Sequence, residues 1–434
     1  MPAAGLPVTT LLVGVSGGSD SLGLLMALRA AKTRLRRDDL RLVAATVDHR
    51  LRPGSADEAG RVGAICASLA IDHETLVWHD AASGPAVSER ARNARYLLLQ
   101  DLAARIEAQA IVVAHTFNDQ AETVAMRLKR APDGEGLAGM APAVLIGGRH
   151  WLLRPFLSVT RQSIRDGLTA QAQGWIDDPT NEDRHYERVR MRQSLDDDAR
   201  EALVSLGREQ AGLRQALGEK AAVLAGEAVT VHGRGLAEIA VPVLRAADAD
   251  VAGLVVRSLV AVCGGRVFAA GRDVRERLVG LALSAGDGRM TAGRCVIAKK
   301  SDRLFIVRET RDLPVLDLAP GESACWDARF VITNHTAGPV CVRPWAESDA
   351  PQAMPAVPAF VATLLQRSLP VLSAGDGGGE ALQAGNIRVE PYLAPYENFL
   401  PLFDLALANA IAALFRRTSF AGAAMVKHAV EIAS

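Results

Sequence analysis

The sequence has few cysteines for its length, and none of them form a C-x-x-C pair. Five cysteines, an odd number, are scattered along 434 residues. They are Cys66, Cys263, Cys295, Cys325 and Cys341. This pattern argues against a disulfide framework and against a thiolate metal site. We therefore expect a protein of the reducing cytoplasm.

The sequence also lacks a net charge and a long apolar run. Lysine plus arginine and aspartate plus glutamate both number 49, so any nucleic-acid partner must bind to local patches. The apolar run Leu11 to Val15 is short and no basic segment precedes it. A membrane span needs roughly 18 apolar residues in a row. We expect a soluble protein without a membrane partner, and its 49% hydrophobic residues suffice for two or three cores.

Short apolar runs alternate with helical stretches through the first part of the chain. Residues 10–15 (TLLVGV) end at a glycine-rich turn, and an Ala- and Leu-rich segment follows. Similar runs lie at 41–49, 73–79 and 110–115. This rhythm predicts a Rossmann-like parallel sheet wrapped by crossover helices, with ligands at the carboxyl ends of the strands.

The composition changes after this first domain, which we place at residues 1–198. A long amphipathic stretch predicts a mainly helical second domain at 199–312, with a hairpin at 294–309. Proline and glycine then become more frequent and predict a small mixed α/β unit at 313–434, with a loop at GDGGGE, 375–380. The predicted fold class is α/β.

The most specific local pattern is the loop SGGSDS, Ser16 to Ser21, directly after the first strand. Gly17 and Gly18 permit backbone torsions closed to other residues, so successive N–H groups can converge on one anion. The following helix N-terminus adds partial positive charge, and the hydroxyls of Ser16, Ser19 and Ser21 add donors. The pattern predicts a phosphate site, although the lysine of G-x-x-x-x-G-K-[ST] is absent.

Asp20 would repel a bare phosphate, and its carboxylate makes sense when Mg²⁺ lies between the two. Two glycines alone are also consistent with an ordinary turn before a capped helix. The full pattern S-G-G-x-D-S after a first strand resembles the signature of the ATP pyrophosphatases, or PP-loop superfamily. This resemblance implies cleavage of ATP between the α and β phosphates, with ATP and Mg²⁺ as cofactors.

Further segments resemble the tRNA(Ile)-lysidine synthase family, in the order in which that family shows them. They are VDHRLRPGSADEA at 47–59, ERARNARY at 89–96, AHTFNDQAETVAMRLKR at 114–130 with GEGLAGM at 134–140, and DDPTNEDRHYERVRMR at 177–192. A weaker likeness continues through 294–309 and 326–330. Each block alone is unspecific, but their shared order is specific.

This resemblance implies a ligase that uses ATP, free L-lysine and an isoleucine tRNA with a CAU anticodon. The wobble cytidine would be adenylated with release of pyrophosphate. The lysine ε-amine would then displace AMP at C2 to give lysidine. The second and third domains would recognise the tRNA, and the oligomeric state is open, with a homodimer as one arrangement.

We assign site roles on the basis of the loop and this resemblance. Catalysis is assigned to Asp20, Asp119 and Glu122, and metal binding to Asp20 and Asp119. Nucleotide binding is assigned to Ser16, Gly17, Gly18, Ser19, Asp20, Ser21, Val47 and His115. Contacts to substrate and tRNA are assigned to Arg92, Arg95, Thr123, Arg188, Arg190 and Arg192.

The segment after the fourth strand departs from the family pattern. Where the family often has paired histidines and paired aspartates, Thr116 stands beside His115 and Asn118 beside Asp119. We assign no role to residues 116–118. Plainer interpretations remain for this region, because His115 could cap a helix and the acidic residues could form a solvated face.

The three arginines between residues 188 and 192 could likewise be surface residues balanced by neighbouring acidic ones. Three other functions also remain open. A tRNA thiolase of the same superfamily would typically need cysteine pairs or an iron–sulfur cluster, and no C-x-x-C exists here. A nucleotide-binding module without turnover would not explain the acidic residues. An amidating ligase for a small acid would leave the arginine-bearing segments without a role.

Overall fold

A computed structural model of the chain divides it into two compact units. The first comprises residues 1–214, 401–403 and 421–434, and the second comprises 215–400 and 404–420. The structure describes residues 9–51, 54–79, 87–132, 134–177, 185, 187–349, 355–374 and 386–420. The predicted loop at 375–380 and the segment 178–184 of the last family block lie outside these ranges.

The first unit contains a mainly parallel sheet. Six of its seven described strands are β1 (Thr9–Gly14), β2 (Leu40–Asp48), β3 (Asp72–Val77), β4 (Ala110–Val112), β5 (Ala143–Ile146) and β6 (His150–Leu153). Their spatial order is β5-β6-β4-β1-β2-β3, and every pairing is parallel except that of β5 with β6. The four predicted strands and the α/β fold class are confirmed.

Helices follow the strands of this sheet. They are α1 (Ser19–Arg34), α2 (Ser55–Ser68), α3 (Val87–Arg105), α4 (Phe117–Arg130), α5 (Arg161–Ala170), α6 (Glu187–Ser194) and α7 (Asp197–Ala228), the last of which continues into the second unit. Strand order reverses between β1 and β4, and ligands of open α/β sheets bind outside the carboxyl ends at such a switch point. The loop after β1 and the start of α4 both lie there.

Alternation along the strands divides the core between the two faces of the sheet. Leu12 and Ile111 pack on one face with residues of α3 such as Leu99, whereas Val13 and Val112 pack on the other. The second face also contains apolar residues of α1, α2 and α5. Successive side chains of a strand point to opposite faces, so each of these apolar strands is buried on both sides.

The second unit contains three antiparallel sheets and several helices. Its first sheet has the order β7-β8-β11-β10-β9, with β7 (Val229–His232), β8 (Leu236–Ala240), β9 (Gly288–Ala292), β10 (Cys295–Lys300) and β11 (Arg303–Arg308). The hairpin predicted at 294–309 is β10 and β11, with Ser301 and Asp302 in the turn. The other strands of this sheet were not predicted.

Two smaller sheets follow, β12-β15-β16 and β13-β14-β17. The remaining elements are α8 (Val241–Ala246), α9 (Ala249–Cys263), α10 (Arg272–Leu283), β12 (Leu316–Leu318), β13 (Ser323–Trp326), β14 (Phe330–Asn334), β15 (Val340–Pro344), α11 (Ala359–Ser368), β16 (Pro370–Ala374), β17 (Ile387–Pro391), α12 (Ala394–Glu397), β18 (Phe399–Pro401) and α13 (Leu405–Leu414). The three-domain division of the sequence remains a prediction.

Helices α1 and α5 pack closely because Gly23 has no side chain. A Cβ atom added there would lie 2.2 Å from Cγ2 of Ile164. We predict that Gly23→Ala lowers the free energy of unfolding by about 1–3 kcal/mol, because overpacking outweighs the better helix propensity of alanine.

The matched control is Gly60→Ala in the exposed face of α2, where an added Cβ meets no atom within 4 Å. This change should stabilise the protein by up to about 1 kcal/mol. Urea unfolding of both variants measures the difference. Equal effects of the two substitutions would contradict the close packing of α1 on α5.

Candidate active site

The glycine-rich loop between β1 and α1 adopts a conformation that requires glycine. Gly17 has φ of 86°, and a Cβ atom there would lie 2.9 Å from both Ile176 Cδ1 and Val62 Cγ2. The carbonyl of Gly17 accepts a hydrogen bond from the Ile176 amide at 2.9 Å. A side chain at this position is therefore excluded by backbone torsion and by space together.

Helix α1 begins at Ser19 with Gly18 as its N-cap residue, and no side chain of the described residues caps it. The first N–H groups of a helix have no partners within the helix and carry partial positive charge. The Ser21 hydroxyl accepts from the Ser16 amide at 3.1 Å and donates to the Gly18 carbonyl at 3.0 Å. The loop thus presents backbone donors in a fixed shape suited to an anion.

Arg161, at the start of α5, bridges two carboxylates from different elements. Its Nε donates to Asp20 Oδ2 at 3.0 Å, and its Nη2 donates to Asp119 Oδ1 at 3.3 Å. The two predicted catalytic aspartates, one in the loop region and one on α4, are therefore held on one guanidinium. Arg161 was not predicted from the sequence.

The row of charges continues through α6 (Glu187–Ser194). Arg188 donates to Asp119 Oδ1 at 2.8 Å and to Glu122 Oε2 at 2.6 Å, and Arg192 donates to Glu122 Oε1 at 2.7 Å. Only 2% of the Glu122 side chain is exposed. We call this alternating set the charge row. It consists of Asp20, Arg161, Asp119, Arg188, Glu122 and Arg192.

The charge row keeps its central carboxylate ionised. Burial opposes the charge on Asp119, but Arg188 and Arg161 outweigh it, so the pKa of Asp119 lies below its ordinary value. The same carboxylate raises the pKa of both guanidiniums against the effect of their own burial. Charged groups this buried are tolerated because each has an oppositely charged partner.

Thr116 and Asn118, to which no role was assigned, organise this region. Thr116 is the N-cap of α4 and forms a capping box with Asp119, whose Oδ2 accepts from the Thr116 amide at 2.8 Å. Asn118 Oδ1 accepts from the Arg161 amide at 2.9 Å. Thr116 thus fixes the start of α4, and Asn118 connects it to the start of α5.

His115 lies at the end of β4 beside the buried Arg154, a second arginine that was not predicted from the sequence. Arg154 Nε donates to His115 Nδ1 at 3.3 Å, and Arg154 Nη1 donates to the Ala141 carbonyl at 2.8 Å. Burial, followed by the charge of Arg154, lowers the pKa of His115 to about 3. The imidazole is therefore neutral near pH 7 and carries its proton on Nε2.

The other predicted contact residues lie outside the charge row. Arg92 and Arg95 are exposed on α3, with Arg92 over the Tyr96 ring at 5.4 Å and Arg95 Nη2 3.1 Å from His49 Nε2. The other three residues contact their near neighbours. Thr123 donates to the Asp119 carbonyl, Arg190 donates to the His185 carbonyl, and Val47 lies in β2 beside Leu76 of β3.

The backbone of the segment GEGLAGM, residues 134–140, forms hydrogen bonds with side chains of α4. The Gln120 side-chain amide bonds to both the carbonyl and the N–H of Met140, at 3.2 and 2.8 Å. Arg127 donates to the carbonyls of Gly136 and Gly139. Gly139 has φ of 65°, and a Cβ atom there would lie 2.5 Å from the Gln120 amide nitrogen. This segment therefore holds α4, and with it Asp119, in place.

The carboxylates differ in how well they fit a divalent cation. Both oxygens of Asp119 already accept from Thr116, Arg161 or Arg188. Asp20 Oδ1 has only a 3.3 Å contact with the Ser19 hydroxyl among the described residues. Mg²⁺ is usually held by one or two carboxylates together with substrate phosphates and water. Asp20 fits that arrangement, and Asp119 does not fit it as placed here.

A glycine-rich loop at the switch point of a parallel sheet, followed by an uncapped helix N-terminus, defines a nucleotide-binding domain of the PP-loop class. Residues 4–198 match the family model described as the PP-loop domain. Among the described residues, no helix is long and apolar enough to cross a membrane.

Relatives that match most of the chain identify the family. The chain is 37% identical to the tRNA(Ile)-lysidine synthase of Rhizobium meliloti over 94% of this chain and 92% of that protein. It is 36% identical to that of Mesorhizobium japonicum over 93% and 91%. The chain belongs to the tRNA(Ile)-lysidine synthase family, and it is an ATP-using ligase that modifies tRNA.

Among solved structures, the U34-tRNA thiolase NcsA from Methanococcus maripaludis with its [4Fe-4S] cluster matches 47% of this chain and 73% of that chain. The match has 14% sequence identity and a TM-score of 0.39.

The low pKa of His115 predicts a pH-dependent loss of stability. The pKa falls from 6.5 to about 3 on folding, so between these values the unfolded chain binds the additional proton. Stability from this group is complete above pH 6.5 and decreases as the pH falls towards 3, with a slope of up to about 1.4 kcal/mol per pH unit.

We predict that His115→Gln reduces the slope of the unfolding free energy against pH in this range. The reduction corresponds to at most one proton, about 1.4 kcal/mol per pH unit. The control is His79→Gln, which should leave the slope unchanged, because the His79 side chain remains exposed to solvent in the folded protein. Chemical denaturation of both variants between pH 4 and pH 7 gives the proton difference. A slope in His115→Gln equal to that of the wild type would contradict a partly buried, neutral imidazole.

Proposed function

We propose that this protein ligates L-lysine to C2 of the wobble cytidine in an isoleucine tRNA with a CAU anticodon. The products would be lysidine, AMP and pyrophosphate. The observation that carries the proposal is the Gly17 to Ser21 loop at the switch point, adjacent to three carboxylates, in a chain similar along 94% of its length to a tRNA(Ile)-lysidine synthase. The reaction would take place in the cytoplasm.

The first half of the reaction makes the cytidine reactive. The O2 atom of the base attacks the α-phosphate of ATP, a bond to the bridging oxygen breaks, and pyrophosphate departs. Negative charge accumulates on the departing group. The amides of Gly18 and Ser19 and the hydroxyl of Ser16 would hold such a group, and fixed dipoles of this kind are effective because they need no reorganisation.

A divalent cation supplies charge neutralisation for the phosphates when it is bound. Asp20 would hold it, since this carboxylate lies in the first turn of α1 and keeps one oxygen with a single weak contact. The assignment of Asp119 as a second metal ligand remains a prediction, and its present partners would first have to move.

The second half of the reaction uses the lysine ε-amine. The ammonium must be bound and must lose a proton. The resulting amine then attacks C2 while AMP leaves with the C–O bonding electrons. Asp119 and Glu122 are carboxylates on one face of α4, and both accept hydrogen bonds from guanidiniums, those of Arg188 and Arg192. We assign the ammonium site to these carboxylates, with an ammonium group replacing part of the Arg188 contact.

The RNA would approach over α3 and α6 (Glu187–Ser194). Arg92 and Arg95 are exposed, and none of the described carboxylates pairs with either of them. Guanidiniums without carboxylate partners suit backbone phosphates. A homodimer and the tRNA-recognition role of residues 199–434 remain predictions.

Incubation with ATP, Mg²⁺, labelled lysine and a transcript of the CAU-anticodon tRNA, followed by nucleoside mass spectrometry, tests this function. Lysine-dependent conversion of the anticodon cytidine is the expected result. Pyrophosphate without lysine incorporation would retain the adenylation step and refute lysine as the nucleophile. Absence of both with folded protein would refute the proposal.

The loop assignment makes a separate prediction for Asp20→Ala. Loss of this carboxylate should reduce pyrophosphate release by about 100-fold or more, because charge on the phosphates is no longer balanced. The control is Asp38→Ala, an exposed carboxylate beyond the end of α1, which should release pyrophosphate at the wild-type rate. Circular dichroism checks that both variants are folded. Near-normal pyrophosphate release by Asp20→Ala would exclude a role for the loop carboxylate.

A further inference from the structure

Arg161 lies within the site but has no role in either half of the proposed reaction. Its guanidinium contacts both Asp20 and Asp119, and only 19% of its side chain is exposed. An arginine in the first turn of a helix is unfavourable with respect to the helix dipole, and α5 has no acidic residue in its first turn. The residue is therefore held there by its carboxylate partners and not by helix stability.

The backbone around Arg161 is fixed from two sides. Its amide donates to Asn118 Oδ1, and the Phe117 amide donates to the Val159 carbonyl at 3.0 Å. Thr160 caps α5 by accepting from the Ser163 amide at 3.2 Å. These contacts couple the starts of α4 and α5, so the guanidinium has a defined position between the two aspartates.

A guanidinium and a divalent cation would compete at Asp20. The Oδ2 atom of Asp20 is taken by Arg161, and a cation bound to the same carboxylate would lie close to the guanidinium and repel it. Without either cation, Asp20 would have no positively charged partner among the described residues, whereas Asp119 would keep Arg188. One positive group is needed between them, and the contacts to Arg161 supply it when no metal is bound.

We propose that Arg161 is a positioning residue that holds Asp20 and Asp119 together in the metal-free protein and releases Asp20 to the divalent cation that arrives with ATP. It remains on Asp119 after this exchange, so that the nucleotide half and the lysine half of the site stay connected. The inference rests on the proposed function, because it assumes that Asp20 binds the cation.

The test measures the affinity of the Arg161→Gln variant for ATP by calorimetry in the absence of tRNA. The affinity is measured once with Mn²⁺ and once with EDTA, and the first value is divided by the second. Removing the competing charge should increase the ratio of the two affinities by about fivefold or more over the wild type. Arg105→Gln is the matched control, since Arg105 forms a similar two-bond pair with Glu74 on the exposed surface. Its ratio should equal that of the wild type.

Thermal unfolding distinguishes this role from a purely structural one. Arg161→Gln should lower the melting temperature in EDTA, and the deficit should shrink when Mn²⁺ and ATP are bound, because the cation then balances the charge of Asp20 that the guanidinium balanced. An equal deficit in both conditions, or an unchanged affinity ratio, would overturn the proposal. If Arg161→Gln does not fold, Arg161→Lys replaces it, since an ammonium without the planar fork should give an intermediate ratio.

Failure of this inference can be separated from failure of the proposed function. A wild-type protein that makes lysidine, together with an Arg161→Gln variant whose ratio is unchanged, refutes only the role of Arg161. A wild-type protein that neither binds ATP with Mn²⁺ nor makes lysidine refutes the proposed function and this inference with it.

Discussion

The site depends on the alternation of carboxylates and guanidiniums in the charge row. Glu122 is almost fully buried between Arg188 and Arg192. A buried carboxylate without such partners would take up a proton and so lose its charge. Loss of one partner from a buried pair typically costs about 3–5 kcal/mol. The row therefore keeps anionic groups available in a place where an ATP-using ligase would need to receive a metal and an ammonium group.

The parallel sheet determines which elements contribute to this row. Asp20 follows β1 and Asp119 follows β4, and these neighbouring strands flank the point at which strand order reverses. The glycine loop adds backbone donors on the same edge of the sheet. Phosphate binding and carboxylate chemistry thus meet because of topology, and α5 and α6 supply cations that match them.

The parallel sheet was predictable because four of its buried strands are short, continuous apolar runs separated by helices. The loop was predictable because its conformation requires Gly17. The partners of Asp119 were not, since Arg161 lies 42 residues further along the chain and its side-chain direction depends on how α5 packs. Its position in the first turn of a helix, where the dipole disfavours a cation, was the one available signal. Strands β7, β8 and β9 were missed because they are short and adjoin strongly helical sequence.

A double-mutant cycle between Glu122 and Arg188 tests most directly whether the charge row organises the site. Free energies of unfolding would be measured for Glu122→Gln, Arg188→Gln and the double variant. We predict a coupling energy of about 1–3 kcal/mol, because each single change removes the same ion pair, in which the Glu122 side chain is only 2% exposed. Additive effects of the two substitutions would contradict it.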